Sequence, residues 1–292
     1  VASEGDRRSD PEVERRSRLL GGLHFEGEGA RGVAIALLST AVFVAIVVVA
    51  VTQSPGWPEV KRTFFDWGDI SSAFPDIARA FVLNVKIFLV CEVFILVFAL
   101  VIAVLRNLRG PVFFPLRALA IIYCDIARGV PTILVILLLG LGAPALQLTG
   151  VPRSRIFWAG VALIFVYSGY VAEVYRAGIE SVHPSQEAAA RSLGLSRFQA
   201  LRRVILPQAI RRVIPPLLND FIGLQKDTAL VSVLGVVEAV NQTQIDSAAT
   251  FTFGAYLAAA ALFVAITIPL ARLTDWLIAR DRQKRQAAGG FA

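Results

Sequence analysis

His183-Pro-Ser-Gln-Glu-Ala-Ala-Ala-Arg-Ser-Leu-Gly-Leu-Ser-Arg-Phe-Gln-Ala-Leu-Arg-Arg-Val-Ile-Leu-Pro207 reads as two short helices joined at a glycine. Ser185 is placed to cap the first helix, and Glu187 falls in the first turn, where the helix dipole favours an anion. Ala188, Ala189 and Ala190 are strong helix formers. Gly194 supplies a left-handed stop. Ser196 and Gln199 have the S-x-x-Q spacing of a capping box, so a second helix starts at once, with Phe198, Leu201 and Ile205 on one face and Pro207 marking its limit. By pattern alone this is either an amphipathic loop resting on a membrane surface or a handle for a partner.

The membrane enters through the sequence on either side. The chain of 292 residues is 56% hydrophobic and 17% charged, with mean hydropathy +0.65, more apolar than a soluble domain sustains. A helix needs about 20 apolar residues to cross a hydrocarbon core of roughly 30 Å, and such stretches recur along the sequence. They run from about Val33 to Thr52, Ala80 to Leu105, Leu116 to Gly142, Ile156 to Ile179, Val213 to Val237 and Phe253 to Ile278. The third is interrupted by Arg128, Gly129 and Pro131, which predicts a kink or break in need of protein or water around it. The fold class expected is therefore all-α integral membrane, with about six transmembrane helices.

Basic residues orient the chain. Nineteen Lys and Arg fall in one alternating set of segments: before Val33, around Arg106 to Arg117, in Glu180 to Arg212 and after Ile278. Only Lys61, Arg62, Arg79, Arg153 and Arg155 fall in the other. Both termini and the Glu180 to Arg212 segment are thus expected in the cytoplasm, and residues 53–78 outside it. The formal net charge of +7 reflects this loop pattern rather than nucleic-acid binding. The polar stretch from Val1 to Arg31 puts the first apolar run too late for an ordinary cleaved signal peptide, and it is expected to be retained.

Chemistry is sparse. Cys91 and Cys124 lie in apolar stretches without metal or disulfide spacing, and His24 and His183 are the only histidines and lie outside the spans. A Walker A loop needs Gly-Lys followed by Ser or Thr, yet Lys61, Lys86, Lys226 and Lys284 follow Val, Val, Gln and Gln. No nucleotide, cofactor or metal site is expected, and no catalytic residue.

The quoted stretch resembles the EAA loop of binding-protein-dependent ABC importers, with Ala189, Ala190, Gly194, Val204, Leu206 and Pro207 at matching places. The spacing gives the glutamate place to Ala188, while the acid stands one residue earlier at Glu187, turned by about 100° on a helix. Ile126 to Pro131, Ser168 to Ile179 and Leu224 to Glu238 look like the corresponding segments of polar amino acid permeases, and the resemblance covers about Arg79 to Arg285. Val130 stands where a threonine is frequent.

That resemblance implies a five-helix core of the type I importer kind at 79–285, with a coupling loop at 183–207. Residues 1–32 are then a cytoplasmic segment, 33–52 an added helix and 286–292 a tail. It implies two membrane subunits, identical or homologous, on two ATPase subunits that use ATP and Mg, and a binding protein that delivers a polar amino acid from outside. The chain would sit in a bacterial plasma membrane and translocate by alternating access. An importer for another small solute is the alternative; a channel or structural membrane protein would need no such loop.

Ionisable residues inside spans cost about 3 kcal/mol each on insertion scales. Asp125 with Arg128, and Glu173 with Arg176, stand three apart and are expected as structural ion pairs. Asn84, Glu92, Tyr170 and Lys226 are candidates for a substrate pathway, since an amino acid needs polar or opposite-sign partners for both its charged ends.

Overall fold

The computed structural model describes residues 30–108 and 110–289. The segment before Ala30, on which part of the orientation argument rests, lies outside the described residues, as do Arg109 and residues 290–292. The chain divides into two compact units, 1–61 and 62–292.

In the first unit, α1 (Ala30–Thr52) is one uninterrupted apolar helix whose large side chains, from Ile35 to Val51, are exposed all round. A helix apolar on every face and unburied is a membrane span. α2 (Trp57–Phe64) carries the boundary between the units.

The second unit is a helical bundle. α3 (Trp67–Arg106) starts at Asp66, whose side chain accepts from the Gly68 and Asp69 backbone N–H groups, and runs for 40 residues. At 1.5 Å per residue it is about twice as long as a bilayer needs, so its first turns project from the apolar part. The boundary expected near residue 79 thus falls inside α3: hydropathy changes there, but the backbone stays helical. α4 (Phe114–Gly129) and α5 (Thr132–Leu137) meet at a 103° bend across Val130 and Pro131, where the sequence places the break. α5 continues through a π turn, Leu138–Gly142, and a last turn, Ala143–Ala145.

α6 (Arg155–Glu180) is the central helix, packed on α3 and α4. Its small residues allow this, because without a hydrophobic drive inside lipid helices associate by close packing. A Cβ at Gly169 would stand 2.6 Å from the Ala127 Cβ, and one at Gly178 would collide with the Val213 side chain. After a helical hairpin described below, α9 (Leu206–Asp227) packs on α6 and is followed by a 3₁₀ segment, Thr228–Leu234, closed by Gly235 at φ 71°. α10 (Ala239–Thr250) and α11 (Gly254–Gly289) complete the unit and pack on α3.

Four helices among the described residues are long and apolar enough to cross a membrane, and the bent α4–α5 pair makes a fifth. The stretch expected as a single span from Val213 to Val237 is the exception. α9 begins seven residues earlier, carries Arg211, Arg212, Asp220 and Lys226, and gives way to the 3₁₀ segment. Packing against α6 and α11 partly buries Arg212 and Asp220, while Arg211 and Lys226 stay exposed.

Candidate functional site

The quoted stretch folds as a hairpin of α7 (Pro184–Ser192) and α8 (Arg197–Ala200). The cap is His183, not Ser185: its Nδ1 accepts from the Ser185 N–H at 3.2 Å. Pro184 takes the first helical position, where a missing N–H costs nothing, so the cap falls one residue before it. At the corner Gly194 has φ 85°. The Gly194 N–H donates to the Arg191 carbonyl at 3.0 Å and the Leu195 N–H to the Ala190 carbonyl at 3.3 Å, which is a Schellman closure. The capping box forms as the spacing requires, Gln199 N–H to Ser196 Oγ at 3.3 Å and Ser196 N–H to Gln199 Oε1 at 2.9 Å.

Pro207 does not end the second helix. A π turn over Leu201–Ile205 carries the chain into α9, with the Leu206 N–H reaching back to the Leu201 carbonyl. The wider turn removes the clash between the proline ring and the preceding turn, and the Gln208 side chain adds a hydrogen bond to the Val204 carbonyl at 3.0 Å. One continuous lever thus leads from the hairpin into the bundle. Its root is fastened where Arg212 donates to the Ser181 carbonyl and Ala209 and Val213 close on Gly178.

The tip is apolar and open, Leu193 being 84% and Phe198 68% exposed. Ala190 is buried in the hairpin, while Ala188 and Ala189 face outward. Glu187 turns inward, 3.6 Å from the Arg197 Nε across the hairpin. The displaced acid therefore links α7 to α8, a role the sequence does not reveal.

Inside the bundle an ionic hub joins three helices. Glu173 on α6 receives Arg106 from the end of α3 at 2.5 Å, Arg176 one turn along, and Arg128 from the α4–α5 bend at 3.8 Å; Arg176 also reaches Glu180. The expected Glu173–Arg176 pair is present. The expected Asp125–Arg128 pair is not: Arg128 turns to Glu173, and Asp125 is exposed with no ion pair among the described residues. Arg106 carries no local sequence signal of this role, its partner lying 67 positions away.

A second polar cluster is sealed from solvent. Asn84, 1% exposed, donates through Nδ2 to Glu238 Oε2 at 2.7 Å and to Thr228 Oγ1 at 3.2 Å, and its Oδ1 accepts the Ala239 N–H at 3.1 Å. Glu238 caps α10 by accepting the Val240 and Asn241 N–H groups. Asn84 is thus fully engaged within the protein and is not open to a substrate. Of the other pathway candidates, Tyr170 donates to the Arg128 carbonyl at 3.4 Å, Glu92 is half-buried on α3 and Lys226 is exposed. No hydrogen bond or ion pair joins these three to one another among the described residues. Asn84→Leu should leave the Ala239 N–H unpaired and take one of three donors from the buried Glu238 carboxylate, at a cost of about 3 kcal/mol. The check is the thermal unfolding temperature of the purified protein, with substrate selectivity unchanged.

Residues 95–283 match the family described as binding-protein-dependent transport system inner membrane component. The chain belongs to that family. It is a membrane-spanning ABC permease subunit, a kind of subunit that is normally not catalytic. A probable amino-acid permease protein of Bacillus subtilis, YxeN, is 35% identical over 211 residues, which is 72% of this chain and 93% of that one. The nopaline transport system permease protein NocQ of Agrobacterium fabrum is 34% identical over 218 residues, 70% of this chain and 90% of its own. Among solved structures, a chain from an amino acid ABC transporter with histidines superposes with a TM-score of 0.67 at 30% identity, covering 74% of this permease and 98% of that chain. The family match begins at residue 95, so α1 lies outside it.

Proposed function

We propose that this permease imports a polar amino acid by alternating access, driven by ATP that a separate subunit hydrolyses with Mg. The hairpin of α7 and α8 carries the reading: a capped, protruding element with an open apolar tip, continuous through the π turn with a bundle helix. A partner that moves the hairpin moves α9 with it, because packed interiors shift as discrete units rather than deform. Glu187, Ala188, Ala189, Ala190, Gly194, Val204, Leu206 and Pro207 form the coupling segment in this reading.

The relatives support the substrate class, being named for amino acids or nopaline. A second permease subunit, identical or homologous, and an extracytoplasmic binding protein complete the assembly in a bacterial plasma membrane, with both termini of this chain cytoplasmic. Glu92, Tyr170 and Lys226 remain the pathway residues proposed here; Asn84 holds the helices that flank them.

The test is uptake of labelled amino acids into vesicles holding this chain, its ATPase and its binding protein. ATP-dependent accumulation of one polar amino acid is the expected result. Accumulation of a sugar or an inorganic ion instead would replace the substrate class, and ATP-independent flux would replace the importer reading.

A further inference from the structure

The coupling hairpin is unusually one-signed. Between Ser181 and Arg212 the only acid is Glu187, against six arginines. That single acid is already engaged: it faces Arg197 inside the hairpin, with its side chain 35% exposed. Ala188, which occupies the place where the family resemblance puts a glutamate, is exposed. The outward face therefore presents no carboxylate. Arg191 follows Ala188 by one turn on α7, Arg202 follows Phe198 by one turn along the second helix, and both are exposed. Leu193 and Phe198 stand between them at the tip.

We infer that the ATPase surface receiving this hairpin has an apolar floor for Leu193 and Phe198 and a rim of carboxylates facing Arg191 and Arg202. The inference rests on the reading of this chain as an ATP-driven permease subunit. Charge complementarity sets partner choice and encounter rate more than raw affinity, so this rim would select which ATPase the permease accepts. A lipid surface fits the hairpin less well. An interfacial helix buries a broad face of large apolar residues, whereas the only nonpolar residues of α7 are Pro184 and three alanines. The two most exposed large apolar residues, Leu193 and Phe198, cluster at the corner and the start of α8, as a knob for a protein groove, while Leu201 and Leu206 further along are less exposed.

The experiment uses the full-length permease in nanodiscs of phosphatidylcholine alone, titrated with its purified ATPase. Ala188→Glu returns an acid to the outward face at an exposed helical position. It should weaken association about threefold, the scale of one exposed charge. Arg191→Glu with Arg202→Glu should weaken it at least about tenfold, and wild-type affinity should fall as salt is raised. Thermal unfolding of both variants should match wild type, since all three side chains are exposed. Unchanged or tighter binding by Ala188→Glu, or binding indifferent to salt, overturns the acidic rim. So does a charge effect seen only when the nanodiscs contain a third phosphatidylserine, which would make the basic face a lipid contact. A wild-type chain that binds no ATPase under any of these conditions would instead remove the ATPase-coupling reading of the hairpin beneath the inference.

Discussion

Gly194→Val is expected to yield a permease that inserts and folds but no longer couples: uptake falls at least about tenfold and the ATPase is lost on co-purification. The residue sits at φ 85°, where a β-branched side chain is a genuine outlier and an ordinary L-residue pays roughly 1–2 kcal/mol. Two backbone hydrogen bonds close the corner around it, and both depend on that conformation. A Cβ at Gly194 would meet nothing within 4 Å, so the penalty is conformational and not a matter of space. This gives the prediction a graded form. Asparagine, which tolerates the left-handed region, should keep more coupling than alanine, and alanine more than valine. An order that follows side-chain volume instead would mean that the corner fails by packing. Undiminished uptake by the valine variant would remove the hairpin from the transport cycle.

That corner was fully legible because its signals are local. A glycine needing positive φ, a Ser and a Gln three apart, and an Arg-Gly-Val-Pro run that bends α4 into α5 each act within a few residues. So do the apolar stretches that gave the spans their places. The two local misreadings both involve proline. Pro184 moves the cap from Ser185 to His183 by occupying the first helical position, and Pro207 is absorbed by a π turn that no pattern in Leu201 to Ile205 announces. The charged side chains were legible as types but not as pairs. Helical spacing allows Asp125 to meet Arg128, yet Arg128 lies beside the bend, and the packing of α4 on α6 presents Glu173 instead. Asn84 reads in the sequence as a pathway residue because a polar side chain in an apolar span needs a reason. Its reason is Glu238, 154 positions away, which only the folded chain supplies.

Glu173 is the residue whose loss should cost the bundle most. Glu173→Ala leaves Arg106, Arg128 and Arg176 gathered about one point with only Glu180 to offset them. Breaking a buried ion pair by removing one partner typically costs 3–5 kcal/mol, because the remaining charge stays desolvated. The site is only partly shielded, with the Arg106 side chain 14% exposed and that of Arg128 43%. Solvent reduces the cost to about 2–3 kcal/mol. The measurement is the thermal unfolding temperature of the purified permease, together with its yield in complex with the ATPase. Arg128→Ala should cost under about 1 kcal/mol, since its contact is long and exposed. Arg106→Ala should fall between the two, and the Arg106–Glu173 double-mutant cycle should return a coupling energy of about 1 kcal/mol or more, as expected of side chains in direct contact. Restoring the hub by charge exchange, Glu173→Arg with Arg106→Glu, should fail, because Arg128 and Arg176 would then face a third cation at the centre. The contrast with a pathway role lies in what else changes. If Glu173 holds helices together, the surviving fraction of Glu173→Gln transports with wild-type selectivity; a changed order of amino acid preference at full stability would put its carboxylate in the substrate's path.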